Sequence, residues 1–250
     1  IILFLFNIEL VSFCAFPYLC HQRMVPRDGG WSAGAGVSSL TVAHAHIHRI
    51  CAQRYAIYMK RIAILASGSG SNAEAIIHYL RQSREAEVVL LLTNRPDAGV
   101  RERARRLGVR CDYLPTAELR EGSKPLALLA ELGVELVVLA GYLVLITEPW
   151  LQAYPQRILN IHPALLPEFG GKGMYGHHVH EAVLAAGRPY SGITIHLVDE
   201  HYDHGQTLLQ AQCPVLPGDS PETLAARIHQ LEHRYYPAAV AQYLRLLDEH

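Results

Sequence analysis

An excess of charge of either sign is missing from this sequence: 22 Lys and Arg stand against 23 Asp and Glu, for a formal net charge of −1. A chain so balanced carries no basic excess for bulk nucleic-acid binding. Cysteine is also sparse. Cys14, Cys20, Cys51, Cys111 and Cys213 form no CxxC pair and no repeated spacing. That excludes a disulfide framework and points to reduced thiols in a cytoplasmic setting. Internal repeats are absent. The apolar stretch from residue 1 to 20 is broken by Asn7 and Glu9, follows no Lys or Arg, and shows no small-residue cleavage site, so it reads as neither a signal peptide nor a membrane span. Neither nucleic acid nor a membrane is an expected partner.

What the sequence does have begins at Met59. Residues 1–58 show no helical or strand period, whereas Met-Lys-Arg at 59–61 opens a strongly patterned text. The expectation is a single domain over 59–250, preceded by upstream read-through or a disordered extension. The alternation His44-x-His46-x-His48 could present a metal-binding strand face, but no cysteine or carboxylate accompanies it in a matching pattern, and an unstructured tail is expected there.

From Arg61 onward, short apolar runs alternate with segments of helical spacing. Strands are expected at 61–66, 87–92, 109–114, 135–140 and from Arg157 to His162. Helices are expected at 72–81, 97–107, 122–132 and 177–186. This alternation predicts an α/β fold with an open, mostly parallel, doubly wound sheet. Segments 191–198 and 207–215 read as an antiparallel addition at its C-terminal side. The last segment, 221–247, reads as helical with a break at Pro237.

Between the first strand and first helix lies Ser67-Gly68-Ser69-Gly70-Ser71-Asn72. Glycines there let the backbone turn tightly against an anion, and the helix N-terminus offers free N–H groups. Gly70, Ser71 and Asn72 are the expected cradle, with side-chain donors from the last two. The spacing Gly68-x-Gly70-x-x-Ala73 also fits a relaxed dinucleotide fingerprint, but the second strand ends in Thr93-Asn94-Arg95 without the ribose-binding acid. A phosphate monoester suits Ser71 and Asn72 better than a dinucleotide does, with an NADP enzyme as the competing reading.

The chemistry is expected at Asn160-Ile-His162-Pro163. Alternation along a strand puts Asn160 and His162 on one face, and Pro163 ends the strand. Thr194 and His196 share a face of a later strand, followed by the polar turn from Asp199 to Gly205. Gly205 is expected to free the backbone so that Asp203 points back over the sheet. An imidazole beside a carboxylate moves protons, and a nearby amide can donate to an oxyanion.

In these motifs the chain resembles the phosphoribosylglycinamide formyltransferases, folate-dependent enzymes of purine synthesis. The resemblance runs through Ser67 to Asn72, then Asn160-Ile-His-Pro-Ala-Leu-Leu-Pro167, then Gly192-Ile-Thr-Ile-His196 with Asp203-x-Gly205, and finally Glu232-His-x-x-Tyr236-Pro237. It implies formyl transfer from 10-formyltetrahydrofolate, as co-substrate, to the amine of glycinamide ribonucleotide. It implies His162 as general acid–base, Asn160 as oxyanion donor, and Asp203 as the carboxylate that orients water or raises the His162 pKa. It further implies Gly70, Ser71 and Asn72 on the phosphate, Glu232 on the sugar or glycinamide, His196 in support, and Leu143, Val144, Leu145 and Ile146 around the pteridine. No metal is implied, and His177, His178 and His180 lack the remaining ligands for zinc. Two features depart from the pattern. Val144 stands where the family often has a basic residue, and the glycine-rich stretch 170–180 is longer than in many relatives, so it reads as a flap whose Lys172 or His178 reaches substrate. The rivals are a formyl-folate hydrolase of the same fold and a non-catalytic phosphate-binding module.

Overall fold

The computed structural model describes residues 59–247. The segment 1–58, with His44, His46 and His48, lies outside the described residues. Seven strands form one sheet in the order β3-β2-β1-β4-β5-β6-β7. Strands β1 (Lys60–Leu65), β2 (Ala86–Thr93), β3 (Cys111–Tyr113), β4 (Leu136–Leu139) and β5 (Ile158–His162) are parallel, while β6 (Tyr190–Leu197) pairs antiparallel with β5, and β7 (Thr207–Pro214) antiparallel with β6. The expected fold class is the observed one.

Helices cover both faces, as the buried strands require. Along β1, Ile62 and Ile64 join a core with Ile76 and Leu80 of α1 (Ser71–Ser83) and with Tyr236 and Val240 of α7 (Pro221–Leu246). Ala63 and Leu65 point the other way, into a second core holding Leu119 of α3 (Thr116–Glu121), Leu129 of α4 (Ser123–Glu131) and Trp150 of α5 (Glu148–Ala153). Two more helices, α2 (Val100–Leu107) and α6 (His177–Ala185), complete the described set. No helix among the described residues is long and apolar enough to cross a membrane.

Three departures from expectation have a clear physical cause. Gly122, read as the first residue of a helix, instead adopts φ +91° between α3 and α4, where its lack of a side chain suits a helix end. Helix α2 starts at Val100 rather than Asp97, where the Val100 N–H donates to Gly68 O at 3.1 Å and ties the helix to the glycine-rich loop. Pro237 does not break α7, which runs unbroken to Leu246. An interior proline costs about 3 kcal/mol of helix propensity. The buried row Leu224, Ile228, Tyr236, Val240 and Leu244 holds the helix against the sheet and outweighs it.

Candidate active site

Strands β1 and β4 are neighbours although β1 also pairs with β2, so the strand order reverses between them. The loops leaving their carboxyl ends meet at the switch point where open α/β sheets bind ligands. Residues Gly68–Asn72 and Gly141–Ile146 both line a cavity of about 790 Å³ there. Gly70 precedes α1 at φ +77°, and a Cβ on it would lie 2.6 Å from Val100 Cγ2. Only glycine fits that place. Helix α1 has no side-chain cap, which leaves its first N–H groups to an anion. Ser67, read only as part of the loop, proves to be a strut: its Oγ donates to Asn94 Oδ1 at 2.7 Å and accepts from the Leu143 N–H at 3.1 Å. Asn94 is thereby committed to Ser67. Arg95, which a 2′-phosphate would require, pairs with Asp97 and is absent from the cavity lining.

At the end of β5, Asn160 and His162 both line the cavity, as their alternation predicts. Across the antiparallel seam Asn160 is paired with His196. The Asn160 Nδ2 donates to His196 Nε2 at 3.1 Å, while His196 Nδ1 meets Leu197 O at 2.8 Å. A carbonyl only accepts, so Nδ1 carries the hydrogen and Nε2 is left to accept from the amide. His196 therefore fixes one N–H of Asn160 and leaves the other for substrate. His162 donates from Nε2 to Phe169 O at 2.8 Å, and its Nδ1 faces Asp203 Oδ2 at 3.4 Å. Burial is the largest influence on His162 and drives its pKa below the ordinary histidine value, against the opposing pull of Asp203. Asp203 raises this pKa, as its charge leads one to expect, but burial outweighs it. Burial also pushes the Asp203 carboxyl up. The His196 ring, 3.7 Å away, and the His162 ring in their cationic forms, together with the Gly171 N–H, outweigh burial, and the net shift is downward.

Gly205 holds the turn in a different way from the one expected. Asp203 itself takes the left-handed conformation, φ +56°. A Cβ on Gly205 would lie 1.9 Å from Leu197 O, so glycine is needed there for close backbone approach.

Glu232, buried in α7, takes two hydrogen bonds on one oxygen: Asn72 Nδ2 at 2.9 Å and His229 Nδ1 at 2.8 Å. The bond to Glu232 is the main cause raising the His229 pKa. The Asn72 amide hydrogens are expected from the sequence to face phosphate, but one is given to Glu232 instead. Sequence reasoning misses His229, which reads as an ordinary polar helix position; its spacing of three from Glu232 is the available signal.

Leu143, Val144, Leu145 and Ile146 all line the cavity. From the flap, Lys172 and His177 line it, whereas His178 lies outside the lining and faces Glu181 at 3.3 Å. His180, also unassigned in the sequence, is buried in the cavity wall. Beside the site, Asp199 and His201 of the cavity lining and the neighbouring His204 bring potential ligand atoms within 4.8 Å of one another. His201 and His204 are largely exposed, and nothing else in the site calls for an ion there.

The geometry agrees with relationships found by comparison. Residues 60–240 match the formyl transferase family. A chloroplastic phosphoribosylglycinamide formyltransferase of Arabidopsis thaliana is 48% identical over 240 residues, covering 94% of this chain and 79% of the relative. That coverage takes in part of the segment before Met59. The Bacillus subtilis phosphoribosylglycinamide formyltransferase is 39% identical, over 75% of this chain and 96% of its own. Among solved structures, glycinamide ribonucleotide transformylase 1 from Symbiobacterium toebii superposes with a TM-score of 0.68 at 40% identity, covering 74% of this chain and 88% of the other. The chain belongs to the formyl transferase family.

Proposed function

We propose that this chain transfers the formyl group of 10-formyltetrahydrofolate to the amine of glycinamide ribonucleotide, N1-(5-phosphoribosyl)glycinamide, in purine synthesis. The observation that carries the reading is that one cavity is lined together by Asn160, His162 and Asp203, by the glycine loop before α1, and by the apolar loop after β4. The substrate phosphate takes the first-turn N–H groups of α1. Glu232 takes the sugar, and the pteridine takes the slot of Leu143 to Ile146.

The uncharged amine attacks the formyl carbon, and the carbonyl electrons move onto oxygen. The free N–H of Asn160 donates to that oxyanion. His162 accepts the proton released by the attacking nitrogen and becomes an imidazolium facing Asp203. It then gives the proton to the folate nitrogen as the oxyanion collapses back to a carbonyl and the carbon–nitrogen bond to the folate breaks. These steps use only the two substrates and the side chains named.

The test mixes purified protein with 10-formyltetrahydrofolate, with and without glycinamide ribonucleotide, and follows tetrahydrofolate. Release that depends on the ribonucleotide supports the transferase. Release without it supports the hydrolase, and no release supports a binding module.

The catalytic domain is taken as residues 59–250, which the family match at 60–240 supports. N-terminal sequencing of the native protein decides whether residues before Met59 belong to it; a mature chain containing Trp31 would sink the read-through reading. The compartment is taken as cytoplasmic from cysteine usage. The plastid is the rival because the Arabidopsis relative is named chloroplastic, and cell fractionation separates the two.

A further inference from the structure

Two polar atoms of the cavity wall are buried without a hydrogen-bond partner among the described residues: Asn72 Oδ1 and His180 Nδ1. Buried polar groups in folded proteins are nearly always partnered, so each exception calls for a physical reason. His180 is the sharper case. It occupies the buried face of α6 between Val179 and Val183, with 3% exposure. Four titratable groups surround it: His177 on its own helix, His162 at the end of β5, and His229 and Glu232 on α7. Burial chiefly, and the three histidines with it, lower its pKa against the pull of Glu232. Near neutral pH the ring is uncharged, with one donor nitrogen and one acceptor.

The orphaned atom of Asn72 restricts what can satisfy it. Asn72 already spends an amide hydrogen on Glu232, so its Oδ1 accepts only. A ligand that pairs with it must bring N–H or O–H groups. A phosphate dianion brings none and would face the Glu232 carboxylate; a formyl oxygen brings none either. The amide and amine of glycinamide and the hydroxyls of the ribose do bring them. His180 shares the cavity wall with His162, where the amine reacts, and with Glu232, assigned to the sugar, and it interacts electrostatically with both; the glycinamide arm has to span those two groups.

We infer that His180 is a further substrate-binding residue, which hydrogen-bonds the glycinamide arm and gains its missing partner only when glycinamide ribonucleotide is bound. This rests on the transferase reading above.

The test uses the full chain with His180→Phe, which fills the space without nitrogen, and with His180→Asn and His180→Gln, which restore a polar atom near one ring nitrogen or the other. Glycinamide ribonucleotide binding is measured by calorimetry, and melting temperature with and without it. Expected for His180→Phe are an unliganded melting temperature at or above that of the parent, since an unmade hydrogen bond is removed, and at least a tenfold loss of ribonucleotide affinity. The KM for formyl-folate should stay within twofold, and either His180→Asn or His180→Gln should recover most of the affinity. Should the Phe chain fail to fold, His180→Ala takes its place in the binding measurement. Ribonucleotide affinity within twofold of the parent in the apolar variant overturns the inference while leaving the transferase reading intact. Failure of the parent to bind the ribonucleotide overturns both.

Discussion

His162 and Asp203 face each other at 3.4 Å, Nδ1 to Oδ2, while the other ring nitrogen of His162 is held by Phe169 O. In the uncharged ring with its hydrogen on Nε2, the Nδ1 lone pair looks directly at a carboxylate. A proton arriving on the ring turns that repulsion into an ion pair. His162→Ala and Asp203→Ala are each expected to lower turnover by about a hundred- to ten-thousand-fold, the usual contribution of a positioned acid–base group. Steady-state kcat measures it, and near-parental turnover in either variant would refute the role given to that residue.

The same pair sets a pH dependence. The reaction needs His162 uncharged at the start, so activity falls as the pH drops through its pKa. Burial has moved that pKa below 6.5, and Asp203 holds it partly up. The acid limb of kcat is therefore expected below pH 6.5 in the parent. Asp203→Asn removes the raising influence, so in the residual activity of that variant the limb moves to still lower pH. A pH–rate profile of both chains checks this; movement of the limb to higher pH contradicts the electrostatic assignment.

Two glycines of the phosphate loop are expected to respond differently. At Gly70 an alanine would combine φ +77° with a Cβ inside van der Waals contact of Val100, whereas at Gly68 nothing lies within 4 Å of an added Cβ. The left-handed conformation alone costs a non-glycine residue about 1–2 kcal/mol. Gly70→Ala should therefore destabilise the fold by at least ~1 kcal/mol and raise the KM for the phosphorylated substrate, while Gly68→Ala leaves stability near the parent. Denaturant midpoints and KM values for the two chains decide it, and equal behaviour would refute the steric account.

Much of this fold is written in short-range pattern. Residues 88–92 and 136–139 are apolar on both sides because helices cover both faces, and such runs mark a buried parallel strand by composition alone. The catalytic pair is legible for a similar reason, since the two-residue period of a strand by itself puts Asn160 and His162 together. What stays hidden depends on contacts distant in sequence. Pro237 reads as a helix breaker because nothing local reveals that Tyr236 and Val240 pack against the sheet. The net direction of the His162 shift depends on how deeply the ring is buried. No local pattern distinguishes His180, inside the cavity wall, from His178, which is exposed on the same helix.

Tyr236 links the two strands that end in the site. Its hydroxyl, with the residue fully buried, lies 3.0 Å from Leu139 O on β4 and 3.2 Å from Leu159 O on β5. Tyr236→Phe keeps the ring packing and removes the single hydroxyl hydrogen that the two carbonyls share. The expected loss is about 1–2 kcal/mol of stability, typical of a buried hydrogen bond removed from one side. Chemical denaturation measures it, and an unchanged midpoint would mean that the hydroxyl contributes nothing at this junction.

Glu232 accepts from Asn72 and His229 on a single oxygen, Oε2, so Oε1 remains to accept from a substrate hydroxyl. Glu232→Gln can keep its carbonyl oxygen on the two protein donors, which preserves the local frame and holds the stability change within about 1 kcal/mol. The remaining oxygen then becomes an NH₂ group that cannot accept. Loss of a hydrogen bond to a charged acceptor is worth about 1.5–3 kcal/mol, which corresponds to a KM for glycinamide ribonucleotide raised by roughly ten- to a hundredfold. The His229 pKa, raised chiefly by its bond to Glu232, should fall in the same variant because the carboxylate charge is gone. NMR titration of the His229 ring reads that shift independently of turnover. A variant in which the His229 pKa falls but the KM is unchanged would show that Glu232 orders α7 without touching substrate.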